Sequence, residues 1–403
     1  MSFFKLLRGA SLYGPSEMGQ RDILVAGEKI AEIAPDLSRL NSLPEIEVVD
    51  LKGKILTPGF IDLHVHFLGG GGADGFSSRG PELSLSEITL AGTTTVVGVV
   101  GTDGVTRDLT ALLAKAHALQ AEGVTTYIWS GAYFYPPPTL TGTAWRDLVL
   151  VEKVLGVGEV AISDVRSTEP TTQELVRLAA EARMGGRISG KPGLLHLHVG
   201  AGRARLKPLF EVCKVSEVPI TQLLPTHLNR TRNLLEEAAA FAKAGGTIDL
   251  TASFTPARGL SSSVPAAEAL TYIREEGVSL KRVTLSTDGN GIFTGFSESL
   301  DDRDFIRWPL SALSEQLRAA VTEENLPLPE VLGTVTENVA KVLGLYPRKG
   351  SLSPGADADI VVFDKGLHID AVYARGSKMV EDGEPVVFGR FEHRSWKGVE
   401  KQF

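Results

Sequence analysis

Cysteine is nearly absent: Cys213 is the single one among 403 residues. No intrachain disulfide can form, which suits a reducing compartment, so a cytoplasmic location is expected. Long apolar runs are missing too. No stretch of about 18 apolar residues occurs, so no membrane-spanning helix is expected. The opening MSFFKLLRGASLYG is broken by Lys5 and Arg8 and is too short and interrupted for a signal peptide. Basic runs, RNA-binding signatures and zinc-finger spacings are also lacking, and the formal charge is 41 − 49 = −8. Neither nucleic acid nor a membrane is an expected partner. Histidine is scarce, at eight residues, so where each one falls carries information.

What is present is a globular composition, 43% hydrophobic, with enough chain for one large domain or a large and a small one. Eight short β-rich runs alternate with helical patterns: GFIDLHVH (59–66), TTTVVGVVG (93–101), TTYIWSGAY (125–133), VLGVGEV (154–160), LLHLHVG (194–200), ITQLLPTHL (220–228), GTIDLTAS (246–253) and RVTLSTDG (282–289). Intervening stretches such as LTALLAKAHALQAEG and RNLLEEAAAFAKAGG read as helices closed by glycine. Eight β/α alternations predict a (β/α)8 TIM barrel, with a doubly wound sheet as runner-up. The ends differ. Residues 1–57 and 346–403 hold short β patterns without a long helix, and are expected to form one small β-sandwich domain from both termini. Residues 58–345 would be the barrel. Pro58 and Tyr346-Pro347 mark the expected boundaries.

Polar residues fall at the ends of many runs. His64 and His66 end the first, and residues two apart on a strand share a face. Glu159 ends the fourth run, His198 the fifth, His227 the sixth and Asp288 the eighth. In a closed barrel these ends converge on one mouth, where barrel enzymes react. Four imidazoles and two carboxylates suit zinc or a similar divalent ion, although manganese, cobalt or iron fit the same ligands. Six ligands exceed the needs of one tetrahedral ion. Two ions roughly 3.5–4 Å apart would use them all if one carboxylate bridges. That gives a purpose to Glu159, the one glutamate in the largely apolar run LGVGEVAISD. His196 shares the face of His198 but sits deeper, as a core or outer-layer histidine, and His117 is expected at the surface.

The ordered set GFIDLHVH, AGTTTVVGVVGTDG, SGAYFYP, AISDVRS, LLPTHLNR, GGTIDLTAS and TLSTDGNG resembles the isoaspartyl (β-aspartyl) dipeptidases of the amidohydrolase superfamily. The likeness runs over nearly the whole chain, including GSLSPGADADIVVFD and VYARGSKMVEDG. It implies two divalent metal ions, with zinc favoured by the chemistry. His64, His66 and Asp288 would hold one, and His198 and His227 the other. Many members bridge the ions with a carbamylated lysine; here that position is Glu159, a carboxylate on a shorter arm. The resemblance further implies Asp288 as the proton carrier, Tyr133 at the oxyanion, and Arg166 and Arg230 on a substrate carboxylate. Gly71 and Thr102 fall on positions that contact substrate, and a homo-oligomer is implied.

The likeness breaks in the substrate shell. The family places a glutamate for the substrate's α-amine where this chain has Ala73; Asp74, next to it, is the candidate replacement. Ile292 stands where a small hydroxyl residue is usual, and Val165 where a histidine is. The leading expectation is a dipeptidase for isoaspartyl dipeptides. The alternative is a binuclear hydrolase for another carboxylate-bearing amide: an N-acyl amino acid, a cyclic amide or a lactam. A non-catalytic barrel used for binding or assembly ranks last, because all six ligand positions are filled.

Overall fold

The computed structural model describes residues 3–42, 44–294 and 305–392; residues 393–403 of the expected terminal domain lie outside the described residues. Five strands open the chain: Phe4–Tyr13 (β1), Glu17–Ala26 (β2), Lys29–Ala34 (β3), Ile46–Asp50 (β4) and Ile55–Pro58 (β5). Strands and helices then alternate: Phe60–Val65 (β6), Leu85–Leu90 (α1), Thr93–Gly98 (β7), Leu109–Glu122 (α2), Thr125–Ser130 (β8), Ala144–Leu150 (α3), Val154–Ile162 (β9) and Thr172–Ser189 (α4). Leu194–Val199 (β10), Lys207–Val215 (α5), Leu223–Thr226 (β11), Arg232–Lys243 (α6), Ile248–Thr251 (β12), Ala266–Glu275 (α7) and Val283–Ser286 (β13) continue the pattern. A hairpin of Ile292–Thr294 (β14) and Phe305–Arg307 (β15) precedes helices Ala312–Thr322 (α8), Leu328–Val335 (α9) and Glu337–Val342 (α10). Ile360–Phe363 (β16), Ile369–Ala374 (β17), Ser377–Glu381 (β18) and Glu384–Pro385 (β19) follow. No described helix is long and apolar enough to cross a membrane.

All eight expected runs are strands. Every residue of β6, β7, β9 and β10 is buried, the signature of parallel strands covered on both faces. The helices carry the caps that their sequences announce. Asp108 accepts from the Ala111 amide to start α2, which ends at Gly123 (φ +127), and Thr231 accepts from Leu234 to start α6.

Strands β6 to β11 form one six-stranded parallel sheet, and β12 and β13 a parallel pair. Two seams therefore lack a continuous ladder, and a buried aspartate lies at each. Asp249 on β12 accepts from Thr226 Oγ1 of β11 and from Ser286 Oγ and Thr284 Oγ1 of β13, each at 2.6 Å. Asp62 on β6 accepts from the His64 and Thr287 amides, at 3.2 Å each, and from the Thr287 hydroxyl. Beside it, Val65 bridges Gly289 and the His66 amide donates to the Gly289 carbonyl at 2.8 Å. Burial, the dominant influence, raises the Asp249 carboxyl to about 6 and the Asp62 carboxyl to about 7 against the pull of these hydrogen bonds.

The termini do build one β-rich unit, whose hydrogen-bonded ladders are continuous rather than split between two separate sheets. The strands form a single nine-stranded sheet, ordered β19-β18-β17-β16-β5-β1-β2-β3, with β4 branching off β1. The branch point is physical. Residues Phe4–Arg8 of β1 pair with β4, and Ser11–Leu12 pair with β5. Between them Gly9 takes a left-handed conformation (φ +74), and its amide donates to the buried Asp22 carboxylate at 2.9 Å. One bent strand serves both halves, around a core that includes Leu7, Leu12, Ile23, Leu56, Ile360 and Tyr373.

Replacing Asp249 by Ala leaves the buried Thr226 and Ser286 hydroxyls without an acceptor and Thr284 with only the distant Ile248 carbonyl, at 3.4 Å. The substitution is expected to lower stability by about 3 kcal/mol or more, and Ser286→Ala alone by about 1 kcal/mol. Urea denaturation of the metal-free chain measures both. A loss below about 1 kcal/mol for Asp249→Ala would show that the seam is held by something else.

Candidate metal centre

Six buried side chains meet toward the C-terminal ends of β6, β9, β10, β11 and β13. Glu159 lies among the imidazoles. Its Oε2 stands 3.3 Å from His64 Nε2, 3.3 Å from His198 Nδ1 and 3.8 Å from His227 Nε2, and its Oε1 3.9 Å from His66 Nε2. Asp288 Oδ1 is 2.9 Å from His66 Nε2 and 3.5 Å from His64 Nε2. Three overlapping groups place their ligand atoms within 4.8 Å of one another: His64, His66 and Glu159; Glu159, His198 and His227; and His64, His227 and Asp288.

The donor set fits a cation on its own geometry. Both Glu159 oxygens, His64 Nε2 and His227 Nε2 are buried without a hydrogen-bond partner among the described residues. Buried polar atoms left in that state are costly, and several converging on one point imply a missing partner. Two donors about 2.1 Å from one tetrahedral cation stand roughly 3.4 Å apart, close to the 3.3 Å spacings around Glu159.

The backbone aims these groups. The sequence places Glu159 at a strand end, whereas β9 runs on to Ile162. A bulge lets it face the site: Val157 pairs with Leu195 and Val160 with Leu197, so Gly158 and Glu159 together oppose His196. A Cβ on Gly158 would lie 2.6 Å from the His196 carbonyl oxygen, so only glycine fits there. His227 and Asp288 adopt the left-handed region (φ +67 and +55), which turns each side chain inward just past its strand.

An outer ring of hydrogen bonds holds the ligands. His64 Nδ1 meets His196 Nε2 at 2.8 Å, and His227 Nδ1 meets Thr251 Oγ1 at 2.7 Å. His198 Nε2 meets Asp164 Oδ2 at 2.9 Å, and its Nδ1 meets the Tyr133 hydroxyl at 2.8 Å. Arg166 forks onto Asp164, at 2.9 and 2.8 Å, and its guanidinium lies 5.1 Å from the Tyr133 ring centre. Arg230 is half-buried and stacks 4.7 Å over Phe254, its buried Nε without a partner among the described residues. Asp164 was legible as part of AISD, but its role as an anchor for His198 was not. The other expected residues gather around the loop that follows β6. Gly71 (φ +88) has no room for a Cβ beside the Ser78 carbonyl, and Thr102 donates to the Gly71 carbonyl at 3.1 Å. Asp74 is half-buried and Ala73 exposed in that loop, and Ile292 packs against Gly71 and Gly80. His117 is exposed on α2.

Charge follows from these contacts. Burial opposes a charge on His64, yet Glu159 and then Asp288 raise it to about 9. Burial likewise opposes ionisation of Glu159, but the surrounding imidazoles, His64 foremost, hold it well below the usual carboxylate range. The Asp288 carboxyl is lowered to about 2, against burial, chiefly by its hydrogen bond from His66. Burial and then Glu159 push the Tyr133 hydroxyl well above 10, so it stays a donor.

Because metal-free His64 keeps its proton below about pH 9, loading a divalent ion at pH 7 is expected to release that proton. Affinity then falls as pH drops from 9. Calorimetric titration with Zn2+ at pH 7, in two buffers of different ionisation enthalpy, counts the protons. No release would contradict the placement of His64 as a ligand.

Comparisons with known proteins fit this geometry. The model of the amidohydrolase family matches residues 226–394. The β-aspartyl dipeptidase of Fervidobacterium islandicum AW-1, whose structure was solved with a β-Asp-Leu dipeptide, is 40% identical. That match covers 95% of this chain and 98% of the other, with a TM-score of 0.86. The imidazolonepropionase of Colwellia psychrerythraea is 26% identical over 422 residues, 94% of each chain. A dihydropyrimidinase from Brevibacillus agri shares the fold, with a TM-score of 0.67 at 17% identity, over 95% of this chain and 96% of that one. The chain belongs to the β-aspartyl dipeptidase family of the amidohydrolase superfamily, with a TIM-barrel-like domain at its centre.

Proposed function

We propose that the chain is a binuclear, zinc-dependent hydrolase that cleaves isoaspartyl dipeptides in the cytoplasm, from the mouth of a closed (β/α)8 barrel. One observation carries this reading: a buried set of unpartnered ligand atoms lies beside a half-buried arginine whose buried Nε is also unpartnered among the described residues. The 40% identical relative solved with β-Asp-Leu supports the substrate class. His64, His66 and Asp288 would hold one ion, His198 and His227 the other, and Glu159 would be shared. Two divalent ions there would supply a hydroxide nucleophile near neutral pH and polarise the amide carbonyl.

The chain's own groups do the rest. Asp288, ionised in this setting, accepts the proton released as the C–O bond forms, and returns it to the leaving nitrogen as the C–N bond breaks. Tyr133, kept neutral, donates to the developing oxyanion. Arg230 and Arg166 hold a substrate carboxylate; the fork of Arg166 is already engaged by Asp164, so Arg230 offers the freer contact. Gly71 and Asp74, from the loop after β6, and Thr102, from the segment after β7, would face the substrate.

Ala73 and Ile292 favour a second reading with the same centre. An exposed alanine cannot pair with an α-amine, and Ile292 packs on the glycine loop with an apolar side chain. The substrate would then be an N-acyl amino acid, a cyclic amide or a lactam.

Hydrolysis of isoaspartyl-leucine, α-aspartyl-leucine and N-acetyl-leucine by zinc-loaded protein separates the readings. The isoaspartyl peptide alone should turn over. Arg230→Met should raise KM by about 10- to 100-fold, the worth of a charged hydrogen bond. Turnover of N-acetyl-leucine instead selects the second reading. No turnover of any of the three, with two ions bound, contradicts the proposed substrate.

A further inference from the structure

His196 lies beneath the centre, fully buried on β10, and the mechanism above does not use it. Its surroundings settle where its proton sits. Nδ1 stands 3.0 Å from the Leu224 carbonyl oxygen on β11, and a carbonyl only accepts, so Nδ1 carries hydrogen. The ring stacks on the Trp129 indole, with centroids 4.8 Å apart and planes 23° off parallel. Trp129 in turn donates Nε1–H to the Leu63 carbonyl at 2.8 Å, one residue before His64. No carboxylate is hydrogen-bonded to the His196 ring among the described residues, so nothing offsets the cost of a second, charged proton in this dry position. Its Nε2 is then a bare lone pair, and it faces His64 Nδ1 at 2.8 Å. His64 has to donate Nδ1–H. When His64 gives up its other proton to an incoming ion, the lone pair is thereby left on Nε2, the atom that faces Glu159 and Asp288.

The opposite arrangement fails at the other end of the chain of bonds. A hydrogen on His196 Nε2 would require the His64 lone pair on Nδ1. His64 Nε2 would then point an N–H into the cluster of ligand atoms. The geometry points to His196 as the positioning residue that fixes the tautomer of His64 for metal binding, with Trp129 locking the plane of its ring. Metal-bound histidines commonly donate their second N–H to a carbonyl, carboxylate or water. Here the acceptor is another imidazole, held by the neighbouring strand. The inference rests on the metal reading of the site.

The test uses Co2+ as the probe and the full chain. His196→Phe keeps a flat ring against Trp129 and removes the acceptor; His196→Gln restores an acceptor oxygen near the position of Nε2. The Phe variant should bind its weaker Co2+ ion 10- to 100-fold less tightly than the parent, with a changed visible spectrum, as removal of such a support typically does. The Gln variant should recover most of that affinity. A Phe variant with the parent's two affinities and spectrum overturns the inference and makes His196 a packing residue. If the parent itself binds no Co2+, the metal reading fails instead, so the two failures are distinct. Should the Phe variant not fold, 15N-histidine spectra of the Zn2+-loaded parent decide. Nδ1–H tautomers at both His196 and His64 support the inference, and an Nε2–H or doubly protonated His196 overturns it.

Discussion

A fully buried carboxylate with no hydrogen-bond partner among the described residues sits at the middle of this protein. Glu159 is fully buried, both of its oxygens lack a hydrogen bond among the described residues, and four imidazoles surround it within 4 Å. Such a charge in an apolar strand would be strongly destabilising alone. The imidazoles make it tolerable, and shared cations would make it favourable. The rest of the site is arranged so that this charge and its neighbours keep their places. A glycine too crowded for any Cβ precedes it, a bulge turns it to the mouth, and two ligands are swung in by left-handed backbone.

The scaffold answers the same demand for rigidity. Where the strand ladder is interrupted, at the two edges of the β12–β13 pair, a buried aspartate gathers hydroxyls and amides from both sides. Asp62 is two residues from His64, and Asp249 two residues from Thr251, which bonds His227. The devices that hold the seams thus also fix the strand ends that present the ligands. Asp164 joins Arg166 to His198, so the proposed carboxylate-binding arginine and the proposed metal ligand share one acid. His196 does for His64 what Asp164 does for His198.

Much of this was legible in the sequence. Run lengths and helical spacing are local properties, and all eight runs became strands in the expected order. The two-residue spacing of His64 and His66, and strand-end placement of His198, His227 and Asp288, brought these residues together because strand direction alone decides which face they share. What was hidden depends on partners distant in sequence. Nothing in an alternating pattern says that Asp62 meets Thr287, or that one bent strand at Gly9 joins what reads as two sheets. The bulge at Gly158 was hidden too, because it exists only in register with β10. His196 was visible by its spacing from His198, but its value lies in a bond to His64 across the site.

The central claim is that Glu159 stands between two cations. Anomalous diffraction at the zinc edge, from crystals grown with Zn2+, tests it most directly. Two peaks are expected, one beside His64, His66 and Asp288 and one beside His198 and His227, each within about 2.2 Å of a Glu159 oxygen. A single peak, or two peaks both out of reach of Glu159, would contradict the account.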